Sequence, residues 1–116
     1  MSHVFELPFP PSVNHYYRRV GWRTLISREG RRYRTEVVAR LAAIGMQPLL
    51  GRLAVHVLLC PRGRRRFDLD NAQKALLDAL QHGGAYRDDA QIDRLQIERG
   101  PIVAGGRVVV TIAEQV

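Results

Sequence analysis

The chain is 116 residues long, 46% hydrophobic and 25% charged, a composition typical of an ordered globular protein rather than a disordered one. Eighteen Lys and Arg against eleven Asp and Glu give a formal net charge of +7, which points to a polyanionic partner. No apolar run approaches the roughly 18–20 residues that span a bilayer, no long basic amphipathic helix suggests a lipid surface, and a lone Cys60 excludes an internal disulfide framework.

The length suits a single domain over residues 1–116. Met1 to Pro10 lacks the basic start and apolar centre of a secretory signal, so a cytoplasmic location is expected. Only Lys74 is a lysine; the other seventeen basic residues are arginines, whose planar guanidinium pairs bidentately with phosphate and stacks on bases. A GC-rich genome would give the same arginine bias, but it would not remove the charge, and nucleic acid is the leading partner. His3, His15, His56 and His82 are scattered without metal-ligand spacing, so no structural zinc site is expected.

In chain order, Val4–Leu7 reads as a strand stopped by Pro8 and Pro10-Pro11. A polar, aromatic and basic loop follows, in which Tyr16, Tyr17, Trp22 and Tyr33 alternate with Arg18, Arg19, Arg23, Arg28, Arg31, Arg32 and Arg34. Aromatic rings stack on exposed bases and arginines hold phosphates, a mixture suited to distorted or branched nucleic acid, although the tyrosines could equally be core or rim aromatics. From Ser27 or Arg28 to Ile44, Val37, Val38, Leu41 and Ile44 recur at helical spacing, and Gly45 supplies a stop. Leu53–Leu59 reads as a central strand ended by Pro61, with Cys60 packed at its end.

Asp68 to Gln81 carries Leu69, Ala72, Leu76, Leu77 and Leu80 at helical spacing and ends at Gly83-Gly84. Asp70 followed by Gln73 fits the first and last residues of a capping box. Ile92–Glu98 and Arg107–Ile112 read as strands of a closing hairpin around Gly100–Gly106. The order β-α-β-α-β-β predicts an α+β fold, a small mixed sheet with two main helices packed on it.

The chemistry-bearing residues are Asp68, Asp70, Lys74, Asp88 and Asp89. If the fold brings the two acidic pairs together, three carboxylates would sit side by side in a strongly basic protein, the hard-oxygen set Mg²⁺ takes when it borrows further ligands from a phosphate. On a helix starting near Leu69, Lys74 lies one turn beyond Asp70 and can add positive charge at the same mouth. Helix capping by Asp68 and Asp70, exposed turn positions for Asp88 and Asp89, and a solvated Lys74 are the plainer alternatives. Asp78 reads as an exposed helix residue. Arg62, Arg64, Arg65 and Arg66 stand directly before the first acidic pair, and four like charges there favour phosphate contact over a bare loop.

Pro10-Pro11-Ser12-Val13-Asn14-His15-Tyr16-Tyr17-Arg18, Ser27-Arg28-Glu29-Gly30 with Tyr33-Arg34, Asp68-Leu69-Asp70-Asn71 with Lys74-Ala75 and Asp78-Ala79-Leu80, Asp88-Asp89-Ala90-Gln91, and Gly105-Gly106-Arg107 together resemble the RusA family of Holliday junction resolvases. The resemblance implies a Mg²⁺-dependent, Mn²⁺-tolerant homodimeric endonuclease of bacteria and prophages that cuts four-way DNA junctions by paired symmetric nicks in recombination and repair. It places the essential carboxylates at Asp68, Asp70 and Asp89, the important lysine at Lys74, and a secondary acid at Asp88. Contacts to DNA are expected from Asn14, Tyr17, Arg18, Arg19, Arg64, Arg65, Arg66 and Lys74. Ala104 and Tyr86 depart from the family pattern without touching the acidic set. A non-catalytic basic nucleic-acid binding module, or a nuclease for flaps and forks, remains the alternative.

Overall fold

In the computed structural model, which describes residues 2–115, the sheet is organised around β4 (Leu53–Cys60), the strand with the most apolar sequence. Leu53, Val55, Val57 and Leu59 are all buried on one face, and both edges of β4 are paired with flanking strands. Its neighbours are β6 (Arg107–Glu114), antiparallel, and β5 (Ile92–Arg99), parallel; β1 (Ser2–Leu7) closes the far edge against β6. The register aligns Phe5, Val110, Val57 and Ile97 in one row across the four strands, which places their side chains on the same face.

That face is covered by α2 (Arg28–Ala43) and α3 (Leu69–His82). On α2 the buried residues are Gly30, Tyr33, Val37 and Leu41. The Ser27 hydroxyl accepts from the Gly30 N–H at 2.9 Å as N-cap, and Gly45 takes a positive φ of 68° just past the last turn. On α3 the buried set is Ala72, Ala75, Leu76, Ala79 and Leu80; three alanines let the helix lie close against its neighbours, with Asp70, Lys74 and Asp78 four residues apart along one side, the first two exposed and Asp78 half-buried. The fold is thus the expected α+β class, and Cys60 is buried as expected.

Several expectations give way. Ile92–Glu98 and Arg107–Ile112 do not form a hairpin: β4 lies between β5 and β6, and the Gly100–Gly106 segment steps over it. The most apolar strand takes the interior position, paired on both edges, with Leu53, Val55, Val57 and Leu59 buried on its core face. The core face of α2 runs through Tyr33, while Val38 and Ile44 are exposed; Tyr33 is a core residue whose hydroxyl donates to Pro8 O at 2.8 Å. Asp70 is not an N-cap: that position is Asp68, which makes no capping hydrogen bond. The chain's acidic capping box lies instead at Asp88 and Gln91, around a short 3₁₀ turn at Asp89–Gln91. The segment read as loop contains α1 (Val13–Tyr16) and a separate two-stranded hairpin of β2 (Tyr17–Val20) and β3 (Arg23–Ile26).

The base of that hairpin is docked on α2. Ser27 N–H donates to Tyr16 O at 2.9 Å and the Ser27 hydroxyl donates to the same oxygen at 3.0 Å. A Cβ on Gly30 would stand 2.4 Å from Tyr16 O and 2.9 Å from the Ile26 side chain. Gly→Ala within a helix normally stabilises by about 1 kcal/mol. Here the sign reverses: Gly30→Ala is expected to destabilise the protein by about 1–3 kcal/mol through overpacking, read from urea unfolding.

Candidate active site and nucleic-acid interface

The α3 N-terminus is prepared by the residue before it. The Phe67 ring meets Phe9 edge-on with centroids 5.4 Å apart and lies 4.2 Å beneath the Arg99 guanidinium. Arg99 also donates to Phe67 O at 3.0 Å, so the backbone entering Asp68 is held from two sides. Asp68 and Asp70 are exposed. Among the described residues neither carboxylate has an ion-pair partner, and Asp68 accepts no capping hydrogen bond. Capping therefore does not account for this pair. An open cleft of about 370 Å³ lies alongside, lined by Arg64, Arg65, Arg66, Phe67, Asp68 and Arg99: a positive pocket with one carboxylate at its wall.

Midway along α3, the Lys74 ammonium lies 5.6 Å from the centre of the Tyr17 ring, within reach of a cation–π attraction. Tyr17 in turn packs edge-on against Tyr16 at 4.9 Å. Tyr16 is fully buried, and its hydroxyl donates to Asp78 Oδ2. Arg34 completes the group: its Nη2 donates to Asp78 Oδ2 at 2.7 Å and its Nε to the same oxygen at 3.0 Å, with a further 2.9 Å bond to Tyr16 Oη. Burial, reinforced by Asp78, pushes the Tyr16 phenol pKa well above its ordinary value, so Tyr16 stays a neutral donor at any working pH.

Asp89, in the 3₁₀ turn after α3, is tied to the C-terminal half of that helix. The buried Tyr86 hydroxyl donates to Asp89 Oδ1 at 2.7 Å and lies 3.0 Å from Leu77 O, while Asp89 N–H donates to Gln81 Oε1 at 2.9 Å. Loss of hydration raises the Asp89 carboxyl pKa; the Tyr86 hydrogen bond opposes this and the charges of Asp78 and Asp88 add to it. Such a carboxylate gains from any cation brought to it. Through the Tyr86 hydroxyl, Asp89 is tied to Leu77, seven residues beyond Asp70 on α3. Among the described residues no three Asp, Glu, His or Cys side chains converge closely enough to hold a metal ion. The unpartnered Asp68 and Asp70 oxygens, at the start of α3, are of the type a hard divalent cation takes when it keeps waters and borrows a phosphate oxygen.

The other expected residues separate by role. Asp88 caps the 3₁₀ turn, accepting from Ala90 N–H at 2.8 Å, and so sets the position of Asp89. Asn14, Arg18, Arg19, Arg64, Arg65 and Arg66 are exposed, Tyr17 is half-buried and Lys74 exposed. The sequence reading missed the grouping of Tyr16, Arg34 and Asp78, which are 18, 44 and 62 positions apart in their pairings. The one available signal was that Asp78 repeats the four-residue spacing of Asp70 and Lys74.

An α+β fold that carries exposed carboxylates, a lysine and an arginine-lined cleft along one helix has the features of an enzyme acting on phosphodiesters. The family described as "Endodeoxyribonuclease RusA" matches residues 8–113, and the chain belongs to it. It is 40% identical over 114 residues to "Crossover junction endodeoxyribonuclease rusA" of Enterobacteria phage HK97, covering 97% of this chain and 95% of the relative. Relatives of the same description in Escherichia coli strain K12 and Enterobacteria phage 82 are each 42% identical over 118 residues, with the same coverage.

The Tyr16–Arg34–Asp78 group is a half-buried charged network, and removing one partner strands the other. Asp78→Ala is expected to cost about 1.5–3 kcal/mol. A double-mutant cycle with Arg34→Ala should give a coupling energy of at least about 1 kcal/mol, measured by chemical unfolding.

Proposed function

We propose that this chain is a divalent-metal-dependent endodeoxyribonuclease of one domain over residues 1–116, which resolves four-way DNA junctions by paired symmetric nicks. It acts in the cytoplasm of a bacterium, encoded by the host or by a prophage. The observation that carries this reading is the unpartnered Asp68–Asp70 pair beside an arginine-lined cleft, in a chain matched to the family along nearly its whole length.

In this reading Asp68 and Asp70 hold the ion, Mg²⁺ with Mn²⁺ as a substitute, and Asp89 is the third essential carboxylate. When bound, such an ion polarises the scissile phosphate and lowers the pKa of a coordinated water. Lys74 carries a fixed positive charge one turn along the helix and offsets charge growing on the leaving oxygen. Its ammonium is held over the Tyr17 ring, so the charge is oriented before substrate arrives. Arg64, Arg65 and Arg66 hold the neighbouring phosphates, while Asn14, Tyr17, Arg18 and Arg19 contact the duplex beside the cut. Two opposed cuts need two such sites, which a C₂ homodimer supplies in the symmetry of the substrate.

The test is a nicking assay on a synthetic four-way junction, with flap, fork and linear duplex as competitors. Asp70→Asn is expected to lower Mg²⁺-dependent cleavage by roughly 10²–10³-fold and to leave junction affinity unchanged or tighter, since it removes negative charge and no arginine. A folded variant losing binding in step with cleavage would make the carboxylate a structural one. Wild-type protein that binds junctions but never nicks them would identify a silent binding module instead. With six or more phosphate contacts, raising salt from about 50 to 200 mM should weaken binding by about 10³-fold or more; a flat response would remove the arginine grip from the mechanism.

A further inference from the structure

Among the described residues the β2–β3 hairpin pairs with no other strand, and a lone two-stranded ribbon is at best marginally stable in water. Its base is secured by Tyr16, Ser27 and the close approach of Gly30. Its tip projects. The strands turn at Gly21-Trp22, where Gly21 adopts a φ of +61°, a geometry that favours glycine at the first position of a tight hairpin turn. Trp22 is 87% exposed, and Val20 and Leu25 beside it are exposed as well.

Exposure of an indole at a tip calls for a partner, and the composition of the ribbon says which kind. Residues 17–26 contain three arginines, Arg18, Arg19 and Arg23, and no acid. Among the described residues none of the three enters an ion pair, although the Arg19 Nε reaches back 3.4 Å to Gly21 O and braces the turn. A flat aromatic surface flanked by free guanidinium groups fits a ligand with both anionic groups and exposed π-faces, which is nucleic acid.

Position narrows this further. Tyr17, at the foot of β2, is the residue beneath Lys74, so the hairpin rises from the edge of the proposed site. Five residues of strand and turn carry Trp22 roughly 15 Å from Tyr17, farther than the depth of about 8.5 Å of a major groove. In a continuous duplex every base pair is stacked on both sides, and a wedge must first unstack a step. At a branch point the flanking pairs present an open face. Resting on the junction-cleaving reading above, we infer that the β2–β3 hairpin is a wedge that places Trp22 against the unstacked base pair at the branch point, and that it sets the preference for branched over linear DNA. The arginines of the same ribbon bind either form, through phosphate.

Trp22 is the only tryptophan in the chain, so intrinsic fluorescence of the whole protein reports on it directly. In EDTA, to keep the substrate intact, a synthetic four-way junction is expected to quench that emission by half or more at saturation. A linear duplex of equal length should leave it nearly unchanged. Trp22→Ala should reduce the junction-over-duplex affinity ratio by roughly tenfold with duplex affinity within about twofold of wild type, and Trp22→Phe should restore part of the ratio. Circular dichroism checks that both variants keep the fold. Equal quenching by duplex and junction would overturn the inference, as would Trp22→Ala with an undiminished ratio. Wild-type protein that prefers and cuts the junction with its emission unaffected would overturn the wedge alone. Wild-type protein with no junction preference would overturn the proposed function and the wedge together.

Discussion

Asp78 joins three helices. Its Oδ2 accepts from Tyr16 at the end of α1 and from Arg34 in α2, while its own backbone belongs to α3. The group is half-buried, with both donors spent on one carboxylate, so neither charge is left uncompensated away from water. Everything on the exposed side of α3 is referenced to this contact. Tyr16 fixes the ring of Tyr17, Tyr17 lies under Lys74, and the Tyr16 carbonyl receives Ser27 at the hairpin base. One ion pair therefore helps to locate both a candidate catalytic charge and a projecting ribbon, which meet where Tyr17 lies under Lys74.

The opposite side of α3 sets the remaining geometry. Ala72, Ala75 and Ala79 bring the helix close to the elements beneath it, and small residues there leave little freedom for the helix to rock. The functional face is then a ruler, with Asp70, Lys74 and Asp78 at intervals of about 6 Å. Asp89 is set against this ruler by Tyr86, a buried aromatic whose hydroxyl binds both Leu77 O and the Asp89 carboxylate. The position of an acidic residue in a surface turn is thus decided by a core side chain.

Local signals were legible where one element carries them whole. The helix start at Ser27 or Arg28, Gly45 as stop, the apolar run of β4 and the burial of Cys60 all depend on residues within a few positions of one another. Pairing over distance was not. The β5 and β6 sequences are as compatible with each other as with β4, and only the need to bury β4 on both edges separates the alternatives. The hairpin escaped notice because Arg18, Arg19, Arg23 and Thr24 obscure the alternation expected of a strand; Gly21 between Val20 and Trp22 was its one turn signal. The shift of the N-cap from Asp70 to Asp68 moves the boundary by two residues, yet it changes the chemistry: the carboxylate at the cap position caps nothing and stays available. The candidate residues themselves were readable because their types and spacing survive without any knowledge of the fold, while the network that positions them spans up to 62 residues.

The charge distribution divides the work by distance. At physiological salt, fields fade over roughly 8 Å, so a net charge of +7 acts mainly through whichever arginines face the approaching strand. Those of the hairpin and of the segment before α3 are exposed and meet phosphate first. Inside that range the Asp68–Asp70 pair has the wrong sign for a phosphate and would repel it, and Lys74 alone cannot balance two carboxylates. Attraction, carried by arginine, and chemistry, carried by aspartate, are then separate functions on adjacent surfaces, and a change to one can leave the other intact.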